Sequence, residues 1–298
     1  MKRVLMIGLP YFTINVKSNL FKFDTNHQYI VLNTYYKIWD KIRYLFLLPF
    51  CQTVYSINGT IDYSFALSLA IKLKKKVVMH WVGSDIIAAQ KAYAENKYKK
   101  AFIEKAIHLT DTPWFVAELS KIGIKAKFQS LILFEKMEPF KPFPSVFSAL
   151  IYIPQNNQEF YGIYKLKNIV KQLPSIQFDV IGTEKPIIDM PSNVIFHGWV
   201  NNTKSYIQNS YVCMRFPEHD GLSFFVLEAL SQQRYVIYNQ KLDYTLLAQN
   251  ENEVVDRLKQ LKDSFDSGNL KPNLEAARWV EHHFSSENFI KLIDYLTV

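Results

Sequence analysis

"YVCMRFPEHDGLSFFVLEAL", residues 211–230, packs a strand, a turn and a helix into one short stretch. Tyr211–Arg215 is an apolar run with the length of a buried strand. A polar turn follows, and Gly221 lets the backbone come close to a neighbour. Ser223 stands where a helix N-cap belongs, before the apolar helix Phe224–Gln232. Strand, turn and helix in that order make one unit of a parallel sheet. The free N–H groups and positive end of such a helix suit a phosphate without a metal. Asp220 lies just before the helix and Glu228 one turn inside it. Ionised carboxylates only accept hydrogen bonds, which suits the vicinal hydroxyls of sugars. Phosphate flanked by two such rings describes a sugar nucleotide.

The same alternation extends outward in both directions. Strands are expected at Val4–Gly8, Gln28–Asn33, Val54–Ser56, Val77–His80 and His108–Thr110, with helices over residues 62–76 and 92–106. Further on, strands fall at Ala149–Ile153, Gln177–Ile181, Val194–Phe196, Tyr211–Arg215 and Tyr235–Tyr238. Helices fall at Lys165–Gln172, Lys204–Gln208, Phe224–Gln232 and Glu251–Phe265. Two series of this kind imply two Rossmann-like domains with helix-covered parallel sheets. Pro139, Pro142 and Pro144 in "FEKMEPFKPFPSVF" (134–147) mark the joint. In such sheets ligands gather beyond the carboxyl ends of the strands, so a cleft between the domains is the expected site.

Composition narrows the classes. The 298 residues are 49% hydrophobic and 15% aromatic, which excludes disorder and supports a sizeable core. Cys51 and Cys213 are far apart, so neither a disulfide framework nor a zinc site follows, and a reducing compartment is expected. "MKRVLMIG" reads as a buried first strand rather than a signal peptide. "YLFLLPFC" (44–51) is too short to span a bilayer. Residues 1–145 hold 21 Lys and Arg against 10 Asp and Glu, a net +11; residues 146–298 hold 14 against 17, a net −3. The basic half carries no nucleic-acid motif, and its cations are scattered over helices, so nucleic acid is not an expected partner. No G-x-G-x-x-G follows a strand, which speaks against a nicotinamide dehydrogenase.

The Asp-x7-Glu of "DGLSFFVLEAL" resembles the Glu-x7-Glu element of retaining GT-B glycosyltransferases of the family 4 type. "FDVIGTE" (178–184) resembles the family's strand and glycine turn beside the base. "SNVIFHGWVNNTKSYIQNSYVCMRFPE" (192–218) is similar to its next strand, glycine, helix and strand. "EAARWVEHHFSSENFIKLIDYL" (275–296) resembles its closing segment, and "HWVGSD" (80–85) its His-bearing strand end. The resemblance implies a GT-B α/β fold of two Rossmann-like domains facing across a cleft, the last helix crossing back to the first. It implies an acceptor domain over residues 1–145 plus about 284–298, and a donor domain over 146–283. It implies His80 and Asp220 in catalysis. It implies donor contacts from Gly182, Thr183, Gly198, Trp199, Val200, Gly221, Leu222, Ser223, Phe224 and Glu228, and an acceptor contact from Asp85. The donor is then a nucleotide-diphosphate sugar and the acceptor a glycan or a lipid-linked molecule. No metal and no cofactor besides that substrate is implied.

Departures from the family pattern are plain. The first acid is Asp, one methylene shorter than Glu. The usual Arg/Lys diphosphate clamp is missing from "YIPQNNQEFYGIYK" (152–165), where Gln155 and Tyr161 stand instead. Arg215 or Lys165 is the expected substitute. A simpler role stays open for each residue: Glu228 as a solvent-facing acid, Asp220 as a turn former, His80 as a core histidine, Asp85 as a helix cap. A non-catalytic protein of the same fold, binding a sugar nucleotide or a partner protein, also stays open. The basic half, with "IKLKKK" (71–76), Phe102 and "IRYLFLLPF" (42–50), suggests a cytoplasmic protein able to sit peripherally on an anionic membrane.

Overall fold

The computed structural model describes residues 2–134 and 139–297. Residues 135–138 of the proline-rich joint lie outside the described residues. The chain separates into two compact units, Met1–Leu133 with Phe284–Val298, and Phe134–His283.

The first unit runs β1 (Lys2–Gly8), α1 (Pro10–Phe23), β2 (His27–Val31), α2 (Ile38–Leu47), a 3-10 turn (Leu48–Phe50), β3 (Thr53–Ile57), α3 (Phe65–Lys72) and β4 (Lys76–Trp81). It continues with α4 (Ser84–Ala94), α5 (Lys100–Lys105), β5 (Ile107–Thr110), α6 (Pro113–Ser120) and β6 (Ala126–Phe128). Its six strands are parallel in the order β2-β1-β3-β4-β5-β6. Helices cover both faces, so β3 is buried at every position and β4 at every position after Lys76, rather than alternating. Val4, Met6 and Tyr55 pack with Val16 and Leu20 on one face; Leu5, Ile7 and Val54 pack with Leu67 and Ala70 on the other.

The second unit runs β7 (Ser148–Tyr152), α7 (Ile163–Lys171), β8 (Gln177–Ile181), β9 (Val194–Phe196), α8 (Thr203–Gln208) and β10 (Val212–Arg215). α9 (Phe224–Ser231), β11 (Tyr235–Tyr238), β12 (Leu246–Leu247), α10 (Glu251–Asp266) and α11 (Leu274–His283) follow. The parallel order β12-β11-β10-β7-β8-β9 is that of a dinucleotide-binding sheet. Its direction of winding reverses between β7 and β10. The crevice outside the ends of those two strands is where such a sheet takes a ligand.

The last helix, α12 (Ser286–Thr297), belongs to the first unit. Phe289, Leu292 and Leu296, spaced for one helix face, sink into the core beside Val4 and Tyr55. The helix end is pinned as well. Thr53 Oγ1 donates to the Leu296 carbonyl at 2.8 Å and Gln52 Nε2 to that of Thr297 at 3.0 Å, meeting carbonyls that a helix terminus leaves unpaired.

Four expectations change. Residues 139–145, assigned from sequence to the first domain, pack on the second unit. Phe143 stacks on Tyr211 at 4.3 Å, the Tyr211 hydroxyl donates to Pro144 O, and the Arg234 guanidinium lies over Phe143. The helix expected over 92–106 is two helices, α4 and α5. Asn96 turns left-handed between them (φ 54°), and Lys97 N–H reaches back to Ala92 O. Phe102 is buried in the core and is not a surface residue. Lys75, in the helix expected over 62–76, lies beyond α3 and ties the Pro49 and Cys51 carbonyls.

Candidate functional site

The carboxyl ends of β7, β8, β9 and β10 bring most of the sequence-derived candidates onto one edge of the second unit. Gly182 follows β8 with φ 93° and Gly198 follows β9 with φ 68°. Gly182 N–H donates to Gly198 O at 2.7 Å, and Gly198 N–H to Thr183 O at 3.1 Å. Thr183 Oγ1 donates to Ile153 O at 2.6 Å, so three loops are tied together. A Cβ on Gly182 would fall 2.6 Å from the Ile153 carbonyl and 2.8 Å from the Tyr152 ring. Only glycine lets these loops close.

Gln155 and Gln158 reinforce the same loops. Gln155 Oε1 accepts from Glu184 and Lys185 N–H, and Gln158 Oε1 from Ile187 N–H. Their amide nitrogens both donate to Lys185 O. The segment where the resemblance implies a basic clamp is here a neutral amide staple.

Across the crevice, Arg215 closes β10. Its Nε and a terminal nitrogen donate to the two Asp220 oxygens at 2.5 and 2.7 Å, a bidentate pair. The Tyr238 hydroxyl donates to the same carboxylate at 2.9 Å and lies 3.1 Å from Gly221 O. Tyr152 and Tyr161 rings lie 5.9 and 5.3 Å from the guanidinium. Arg215 is 8% exposed and so is Asp220. Burial alone would lower the Arg215 pKa, but the Asp220 hydrogen bonds and charge outweigh it and raise it. Arg215 is therefore a held, neutralised cation. It does not present the loose positive charge expected of a diphosphate clamp, and Asp220 is not an open acceptor for sugar hydroxyls. The pair instead fixes the turn that carries Gly221.

That turn leads into α9. Ser223 occupies the N-cap with extended backbone, yet its side chain makes no cap hydrogen bond, contrary to the expected cap. The first N–H groups of a helix have no partner within it, and the Ser223 side chain does not supply one here. Leu222, Ser223 and Phe225 are buried, and Phe224 is half-exposed. Glu228 sits one turn in, partly buried, and accepts from Thr203 Oγ1 of α8 at 3.1 Å. Burial raises its pKa above the ordinary 4.5, and the Thr203 hydrogen bond offsets that in part. Trp199, before α8, is 76% exposed, with its indole N–H on Asn201. Val200, beside it, is half-buried. Thr203 and Tyr152 carry no sequence signal, and Tyr161 shows only as a tyrosine where a basic residue is expected. Tyr238 could be found only from its register opposite Arg215 across β10 and β11.

The two first-unit candidates sit differently. His80, on β4, is fully buried, with Nδ1 2.8 Å from the Tyr55 hydroxyl. Desolvation pushes its pKa down to about 3, so it is a neutral core imidazole. Asp85 accepts from the N–H groups of Gly59, Val82, Gly83 and Ile86 at 2.7–3.2 Å. It stands in the first turn of α4, whose N-cap is Gly83, and its carboxylate ties the loop at Gly59 to the turn after β4. Burial still raises its pKa despite those donors. Among the described residues no cluster of His, Cys, Asp or Glu could hold a metal, and no helix is long and apolar enough to cross a membrane.

No protein-family model and no curated protein matches the sequence. Solved structures do. Sucrose-phosphate synthase from Thermosynechococcus elongatus superposes with a TM-score of 0.69 at 12% identity, covering 99% of this chain and 98% of that one. Anabaena Alr3699/HepE, in complex with UDP and glucose, gives 0.65 at 9% identity over the whole of both chains. The fold is GT-B, as in the retaining glycosyltransferases. S. aureus TarM gives 0.60 at 13% identity; the GT-B match covers 83% of this chain but spans only 55% of TarM. A TarM variant was captured with fondaparinux, alpha-GlcNAc-glycerol and UDP. At these identities the likeness speaks for the GT-B fold alone.

Proposed function

We propose that this protein is a retaining glycosyltransferase that takes a sugar from a nucleotide-diphosphate donor held by the second unit. The observation that carries this is the α9 terminus. A helix with an uncapped N-terminus opens onto the topological switch point of a nucleotide-binding sheet, with a partly buried carboxylate one turn inside it. In this reading the diphosphate lies against the N–H groups at Ser223–Phe225, and Glu228 accepts from the ribose hydroxyls. The loops of Gly182, Thr183, Gly198, Trp199 and Val200 border the base. Gly221 and Leu222 approach the donor through the turn that Asp220 holds. As the sugar–phosphate bond breaks, charge grows on the leaving diphosphate, and fixed backbone dipoles stabilise it without reorganising. That charge is met by the helix terminus rather than by an obligatory metal. UDP in the HepE and TarM complexes makes a uridine diphosphate sugar the first donor to try. The acceptor is a glycan or a lipid-linked molecule, and the first unit is the half that would receive it.

Titration with nucleoside diphosphates tests the donor reading. One of them should raise the melting temperature at concentrations well above its Kd, by roughly 2.7 kcal/mol of stabilisation at a hundredfold excess. No shift with any of them would remove the donor site.

A second reading is favoured by one observation. Arg215 is spent on Asp220, and Gln155 and Tyr161 stand in place of the clamp. A GT-B protein that binds a sugar nucleotide, or a partner protein, without transferring would show the same pattern. It would bind the diphosphate and turn nothing over.

A further inference from the structure

In the first unit, α2 is apolar on both sides. It buries only Tyr44 against the sheet, with Leu48 of the following turn. The opposite side carries Trp39, Ile42 and Phe46, and Phe50 continues the line at helical spacing. Trp39, Phe46 and Phe50 are 72–73% exposed. Tyr36, in the loop that enters the helix, is 84% exposed. Aromatic side chains of about 150–250 Å² each, gathered on one helix, make a contiguous patch larger than a soluble surface carries without a use.

The surroundings of the patch are basic. Lys37, Lys41 and Arg43 are exposed on or beside α2. The one acid there, Asp40, accepts from Asn33 N–H and from Arg43. Alongside, between α1 and the edge strand β2, an open recess of about 380 Å³ is lined by Arg3, Lys17 and Arg43, with Phe21 and Leu47. Among the described residues no carboxylate lines it. Trp and Tyr settle at the boundary of a bilayer, apolar side chains enter below it, and Lys and Arg reach the headgroups. A second copy is a poorer fit. A two-fold contact through this face would set Lys37, Lys41 and Arg43 against their own copies.

We propose that this face docks on an acidic bilayer. Trp39, Ile42, Phe46 and Phe50 enter the interface, and the recess of Arg3, Lys17 and Arg43 takes headgroup phosphates. This moves the contact away from Phe102 and Lys75, which the fold uses internally. It is independent of the donor reading, since a protein that binds no nucleotide could still float with lipid.

The test is flotation of the full chain with vesicles of phosphatidylcholine, with and without a one-third share of phosphatidylglycerol. The wild type should float with the acidic vesicles only, and release at high salt. Trp39→Ser/Phe46→Ser/Phe50→Ser should abolish flotation while keeping the wild-type melting temperature, because those side chains face solvent. Lys17→Glu/Arg43→Glu should weaken binding by at least about fivefold per site. The control Lys121→Glu/Lys125→Glu, on exposed positions elsewhere, should bind more strongly than that pair. Tryptophan fluorescence should shift to the blue on acidic vesicles in the wild type and not in Trp39→Phe. A wild type that ignores acidic vesicles at low salt, or a triple serine variant that floats like it, overturns the proposal. A concentration-dependent dimer lost in the triple variant, with no lipid binding, assigns the face to a second copy and overturns it too.

Discussion

Arg215 and Asp220 are the residues where sequence and structure part most clearly. Each has the chemistry of a donor-site residue, and together they cancel. Nothing in a linear reading says that a cation and an acid five residues apart close on each other, because the turn between them decides it. Removing one partner leaves the other charged and buried. Arg215→Ala should therefore destabilise the second unit by about 3–5 kcal/mol, read in denaturant unfolding. It should weaken nucleoside and nucleoside diphosphate binding alike. A selective loss for the diphosphate, with stability intact, would return Arg215 to the role of clamp. Glu228 behaves differently, since it keeps accepting capacity beside Thr203. Glu228→Gln should cost about 1.5–3 kcal/mol of nucleotide affinity with little change in melting temperature. The pH dependence has a definite sign. Burial raises the Glu228 pKa above 4.5. The ionised acceptor is lost as pH falls through that raised value, so affinity should decline at a pH above the ordinary carboxylate range. The decline should be absent in Glu228→Gln. The stability term runs the other way. A carboxyl whose folded pKa is raised favours the fold at low pH and loses that contribution as pH rises through the raised value.

At the scale of elements, strands were legible and helices less so. Buried parallel strands are short apolar runs between turns, and all ten expected strands lie on observed ones, within one or two residues at most ends. α1 escaped because it has no cap signal. Its N-cap is Leu9, and Thr13, Ile14 and Val16 are β-branched. α2 keeps helical spacing at Ile38, Trp39, Ile42, Leu45 and Phe46, but it is ten residues long and Pro49 follows it closely, so the window is too short for that period to stand out. The glycine turns were legible as turns, while their mutual hydrogen bonds were not. Gly182 shows what those bonds require. Its φ of 93° and the Ile153 carbonyl beside it both exclude a side chain. Gly182→Ala should cost about 1–3 kcal/mol of stability from the backbone alone. Nucleotide affinity should fall with it, because the loops after β7, β8 and β9 move together. Wild-type affinity in a destabilised Gly182→Ala would separate those loops from the ligand.

For the whole molecule, the paired alternation of strands and helices made two Rossmann-like units readable, and the closing segment pointed to a last helix on the first unit. α12 packs there through Phe289, Leu292 and Leu296. The basic half and the acidic half follow from composition, and the fold gives each half a surface of its own. The second unit has the open helix terminus at a switch point, and the first has the aromatic face of α2. The measurement that bears most directly on the proposed activity is turnover of sugar nucleotides by the purified full chain. Uridine, guanosine and adenosine diphosphate sugars would be offered with candidate glycan and lipid-linked acceptors. The expected result is release of one nucleoside diphosphate, transfer with the donor's anomeric configuration kept, and a raised KM for the donor in Glu228→Gln. Tight binding of a nucleoside diphosphate with no release from any of its sugars, or inversion at the transferred carbon, would contradict a retaining glycosyltransferase.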